Sequence, residues 1–319
     1  MRWTTPTPHR LAAPARSAGV RLLEKTTVAD RACGAERLAA AAALAVQALI
    51  FVENFPFPWG LLLAAPALLL PWTASGWRSS IAWGLFALAD VVPLLTRPLF
   101  VPNHLFLMTY VALALCLAGA GEGRVRSMAA NARWILAGVM ALAALQKLLS
   151  VDYSGFVGFM IATGGFAEPV LGRGAAAAGA LADNAAQAAH FLASVPVDGA
   201  TQALRVPAGF AAYARGAAVG IVVVEGALAA LALFRPDRAL FHVVYAGFLF
   251  VLGLVRSELL FLGALAMLGL LIACARPSRW RWLYVAILLV ALPAATVRLA
   301  RSASSLGEAL DRAGLARRP

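Results

Sequence analysis

Lys147 is the residue whose type and position could do chemistry. Only two of the 27 basic residues are lysines, and this one stands near the end of an apolar run, Asn131 to Gly155 (NARWILAGVMALAALQKLLSVDYSG). Arginine keeps its proton in a protein, whereas a lysine held away from water can release it and act as a general base. Met140, Ala143 and Ala144 precede it on the same helical face, which lets a second helix or a flat ligand come close. Gln146 and the pair Asp152–Tyr153 add polarity at the same level. The competing reading is snorkelling, in which the ammonium simply reaches along the helix end to the membrane interface.

Other polar residues in apolar segments need a reason too, because each ionisable group in a span costs about 2.5–3.5 kcal/mol on insertion scales. Asn103 and His104 open one segment, and His104 could donate or accept a proton near neutral pH. Capping the segment start is its structural alternative. Arg256 and Glu258 join two later segments, and with Asn103, Asp152 and Tyr153 they are the expected substrate-binding set. Asp90 and Arg97 lie seven residues apart, a spacing that allows a local charge pair. Glu225 and His242 fall on successive segments, nearer the cytoplasmic side than Lys147, and either could satisfy the other or Tyr245. This quartet (Asp90, Arg97, Glu225, His242) is expected to be structural. No metal motif occurs, since the histidines and carboxylates are too dispersed.

These residues must be positioned by helices. Hydrophobic residues make up 62% of the 319-residue chain and charged ones 13%, which marks a membrane protein. Nine apolar segments can be drawn, at 37–53, 59–74, 80–95, 99–119, 128–150, 207–234, 239–255, 258–275 and 281–297. The expected fold is an all-α, polytopic transmembrane bundle of eight or nine spans over 37–297. The second segment is the suspect, being short and interrupted by Pro66 and Pro71. Residues 1–36 read as a basic cytoplasmic tail and 298–319 as a basic C-terminal tail. Residues 151–206 read as an outer-face loop whose alanine-rich part, 174–194, is helical.

The net charge of +12 comes from arginines in short loops, the positive-inside pattern, so nucleic acid is not expected and the lipid bilayer is. That pattern places the N-terminus in the cytoplasm, with the inner membrane as location. Cys33, Cys116 and Cys274 are too scattered for a disulfide framework or a zinc site.

Three segments, in order, resemble the HTTM membrane domain, the family that includes vitamin K-dependent gamma-glutamyl carboxylase. They are Val101-Pro102-Asn103-His104-Leu105 entering a span, Arg133 through Lys147-Leu148 to Asp152-Tyr153, and Glu225 followed by Phe241-His242. Gln146 stands where the carboxylase carries a second lysine. The resemblance implies a quinol-dependent carboxylase or oxidase-like lyase with a vitamin K-like quinol as cofactor. Lys147 would be the base that deprotonates it, with His104 and Asn103 against quinone or substrate. The Lys-Leu helix end is also similar to DoxX-type proteins, which implies instead a non-catalytic subunit with a membrane or periplasmic protein partner. A small transporter is the third expectation.

Overall fold

In a computed structural model of the chain, the described residues are 18–55, 58–73, 75–96, 102–118, 124–162, 180, 182, 184, 205–256, 258–275 and 278–312. Among them ten α-helices and no strand occur: α1 (Ala18–Asn54), α2 (Trp59–Leu69), α3 (Ser80–Thr96), α4 (Asn103–Leu117), α5 (Arg124–Leu149), α6 (Tyr153–Ala162), α7 (Phe210–Phe234), α8 (Ala239–Arg256), α9 (Leu259–Cys274) and α10 (Trp280–Arg312). The all-α expectation is met. Four helical stretches are long and apolar enough to cross a membrane, Gly34–Asn54, Arg124–Leu149, Phe210–Phe234 and Trp280–Ala300. The rest are shorter apolar helices, so length and composition alone do not yield eight or nine spans. The helices mark a membrane protein all the same.

Several boundaries differ from the reading of the sequence. The N-terminal tail is helical from Ala18, and the last helix runs on to Arg312. The second segment ends early, in a 3-10 turn at Leu70–Trp72 where Pro71 tightens the chain. The expected loop 151–206 starts with helix α6, whose Val157 and Ile161 pack with Phe210, Ala214 and Ala218 of α7. Most of the alanine-rich stretch lies outside the described residues.

The helices wind back and forth between two ends. At one end, Glu36, Pro71, Arg78 and Arg124 gather: Arg37 donates to the Pro71 carbonyl at 2.7 and 3.1 Å, and Arg124 to the Arg78 carbonyl at 2.6 Å. Arg126 and Arg133 of α5 share a cavity there with Pro236, Asp237 and Ala275. At the opposite end His104, opening α4, meets Glu53 near the end of α1. The doubtful second segment packs along α1, with Gly60 against Phe51 and Phe55 and Pro71 beside Arg37.

Helix α9 is the axis. All its residues from Leu262 to Cys274 are buried, as expected of a helix that is apolar all round. Glycine and alanine let neighbours approach: a Cβ on Gly269 would collide with the Tyr284 ring, and one on Gly263 would come within 3.2 Å of Leu292. Tyr245 of α8 donates to the Leu265 carbonyl at 2.7 Å, tying a third helix to the axis.

Two glycines give a paired test of this packing. Gly269→Ala should lower thermal stability in detergent by about 1–3 kcal/mol through overpacking. Gly138→Ala meets nothing within 4 Å and should be neutral or stabilising, by up to about 1 kcal/mol from helix propensity. Equal melting temperatures for the two variants would show that α9 and α10 are not in close contact.

Candidate functional site

Helix α5 stops two residues beyond Lys147. Ser150 still bonds back to Gln146, but Val151 and Asp152 are turn residues, and the chain re-enters a helix at Tyr153. Asp152 caps that restart: its Oδ1 accepts the Gly155 amide at 2.9 Å, the side-chain bond of an N-cap. Helix α6 then continues alongside the Phe210 half of α7, Gly158 lying against Ala214 and Phe210. Together α5 and α6 form one discontinuous helix against a continuous one.

Lys147 lies at the break. Its Nζ donates to both carboxylate oxygens of Glu225, at 2.5 and 2.6 Å, and lies 5.8 Å from the centre of the Tyr153 ring. The Glu225 side chain is 8% exposed and that of Lys147 22%. Glu225 sits fifteen residues from Phe210, about 22 Å down α7 at 1.5 Å per residue. The sequence put Lys147 toward the outer face and Glu225 nearer the cytoplasmic one. The structure places them level, because the break lets α5 end part-way along α7. Met140 and Ala144 are buried below the lysine and Ala143 half-buried, as their spacing requires.

The other expected site residues go elsewhere. His104 pairs with Glu53, and Asn54 also donates to that carboxylate at 3.3 Å. Asn103 is exposed beside it. Lys147 and His104 thus each hold a different glutamate, and no hydrogen bond joins the two pairs. Asp152 acts as a helix cap, whereas Tyr153, stacked on Phe156, faces the ammonium. Glu258 precedes α9, and its carbonyl accepts the Leu262 amide at 2.9 Å. Arg256 closes α8, and its side chain lies outside the described residues, as does all of Arg97.

The expected partner of Asp90, Arg97, lies outside the described residues, and the expected pairings of Glu225 and His242 are corrected. Asp90 is fully buried and accepts from Gln47 Nε2 at 2.7 Å. Glu225 pairs with Lys147 rather than His242 or Tyr245, and the Tyr245 hydroxyl goes to the Leu265 carbonyl. His242 instead shares a 2.9 Å hydrogen bond with the Tyr284 hydroxyl and stacks on Trp280.

Gln47, Glu36 and Tyr284 were not singled out from the sequence. Gln47 carried a visible signal as a lone amide in an apolar run, but nothing local names its partner 43 residues away. Glu36 is 2.9 Å from Arg78 and 3.2 Å from Arg124, and the Arg124 side chain is almost wholly enclosed. Among the described residues no group of three or more histidines, cysteines or acids is placed to hold a metal. Comparisons with family models, curated proteins and solved structures found no match to this chain.

A double-mutant cycle measures the ion pair. Lys147→Met alone or Glu225→Met alone should cost about 3 kcal/mol of stability, the low end for a buried pair because the ammonium is partly exposed. The double variant should recover most of that loss. At the break, Asp152→Ala should cost about 1 kcal/mol and Asp152→Asn much less, read by thermal unfolding, since either Asp or Asn can cap.

Proposed function

We propose that this chain is a multi-pass enzyme of the inner membrane in which Lys147 and Glu225 together take the proton of a lipid-soluble quinol. The observation that carries this reading is the ion pair itself, an ammonium held by both oxygens of a glutamate at a helix break. A quinol hydroxyl entering between them gives its proton to the Glu225 carboxylate, and its oxygen, now an anion, stays beside the ammonium. Stabilising that anion is electrostatic catalysis by a charge already in place. In the HTTM resemblance Lys147 is itself the base.

The surroundings suit such a substrate. Leu148, Leu149 and Val151 are exposed next to the pair, so a molecule dissolved among acyl chains reaches it without crossing water. The Tyr153 ring offers a face for stacking against an aromatic head. In this reading α5 and α6 cross as one unit, giving nine crossings with the arginine-rich end in the cytoplasm. Asn103 keeps an exposed amide for substrate, whereas His104 serves through Glu53.

Full-length protein in proteoliposomes, given an isoprenyl naphthoquinol, should consume oxygen as quinol absorbance falls. Lys147→Ala and Glu225→Gln should each lower that rate about 100-fold or more, the contribution of a positioned proton acceptor. Normal turnover by a folded Lys147→Ala variant would remove the pair from the reaction.

The helix break favours a second reading. Discontinuous helices with a buried charge beside the break also form the ion and substrate sites of transporters. Proton-coupled uptake into the same proteoliposomes, lost in Glu225→Gln and independent of quinol, would establish that function.

A further inference from the structure

The arginine-rich end holds a cavity of about 430 Å³ between α5, the α7–α8 turn and the end of α9. Arg126 and Arg133 line it on one side, with Pro236, Asp237, Ile272 and Ala275 opposite. A second cavity, of about 410 Å³, shares Pro236 and Asp237 with the first and is lined by Phe234, Arg235 and Arg238. Four arginines and one aspartate therefore line the two cavities, and the combined site carries net positive charge.

The donors there are underused. Arg133 Nε is buried and has no hydrogen-bond partner, as is also true of Nε in Arg78 and Arg124, and an unpaired buried donor costs about 1–3 kcal/mol. The four arginines make no side-chain hydrogen bond or ion pair among the described residues, in contrast to Arg78 and Arg124 of the same end, which are committed to Glu36. Such donors suit an acceptor with several oxygens and negative charge. A phosphate group has both, and arginine binds it through parallel N–H donors.

We propose that this pair of cavities binds the phosphodiester headgroup of an anionic phospholipid. The walls distinguish a lipid from free phosphate. Below the guanidinium groups the cavities are apolar, with Ile272, Ala129 and Ala275 in one and Phe234 in the other. Trp134, next to Arg133, and Trp282 are both more than half exposed, the placement of aromatic side chains at headgroup depth. A headgroup phosphate takes the arginines while glycerol and upper acyl carbons cover the apolar wall. Basic pockets between helices on the cytoplasmic side bind anionic headgroups in this way. Two adjoining cavities also have room for a lipid with two phosphates.

The site is independent of the Lys147–Glu225 pair and is tested without any turnover assay. Detergent-purified full-length protein is titrated with phosphatidylglycerol, phosphatidylcholine or inorganic phosphate, and bound ligand is counted by native mass spectrometry. Phosphatidylglycerol should bind in preference to both others. Arg126→Gln/Arg133→Gln should weaken it about tenfold or more, at roughly fivefold per arginine. Arg126→Gln/Arg235→Gln, which changes only exposed residues, should weaken it comparably and guards against misfolding of the first variant. Arg215→Gln, an exposed arginine on the other half of α7, should leave binding unchanged. Equal binding by all three variants overturns the site. Binding of inorganic phosphate with no preference between the two lipids overturns the lipid assignment.

Discussion

Charge and hydrogen-bonding capacity inside an apolar bundle must be matched within the protein, and this governs the architecture. Among the described residues five side-chain pairings between distant segments do much of that work: Glu36 with Arg78 and Arg124, Gln47 with Asp90, Glu53 with His104, Lys147 with Glu225, and His242 with Tyr284. Each joins segments at least 42 residues apart in the chain. Three of the five have a member on α1, at successive positions along its apolar stretch. Helix α1 is thus fastened to the α2–α3 link, to α3 and to α4. In hydrocarbon the apolar effect does not select among helix neighbours, because lipid tails are as apolar as leucine. Polar partners and close small-residue contacts supply the selection instead.

Packing adds the second constraint. Helix α9 has no face left for lipid, and its glycines and alanines bring Tyr284 and Leu292 of α10 into contact. The proposed reactive pair lies away from that axis. Helix α7 shows Val219 and Val223 to the outside, and the α5–α6 break exposes Val151. A centre at the rim, built on a broken helix, is open to molecules dissolved in the bilayer. The rigid part of the protein and its accessible part are therefore separate regions.

The two ends of the bundle are chemically unlike. One gathers arginines, some locked to Glu36 and others facing open cavities beside tryptophans. The other carries the Glu53–His104 contact and the links around Pro102 and Glu258. Within the basic end Arg78 and Arg124 are held by Glu36, whereas Arg126, Arg133, Arg235 and Arg238 make no side-chain ion pair among the described residues.

Much of this was legible in the residues alone. Apolar runs punctuated by arginine and proline define a helical membrane protein, because hydropathy and segment length depend only on local composition. The end of the apolar run just beyond Lys147 is a local signal as well, and it placed the lysine near a helix end. What local signals cannot carry is depth and partnership. Lys147 was expected near an outer edge and Glu225 elsewhere, because each was measured along its own segment. Only the packing of a broken helix against an unbroken one brings them level, 78 residues apart in the chain. Asp90 likewise met Gln47, 43 residues away, and His242 met a tyrosine two helices on. Pairing is a property of which helices touch and in what register, and that register is fixed by the sum of many contacts across the bundle.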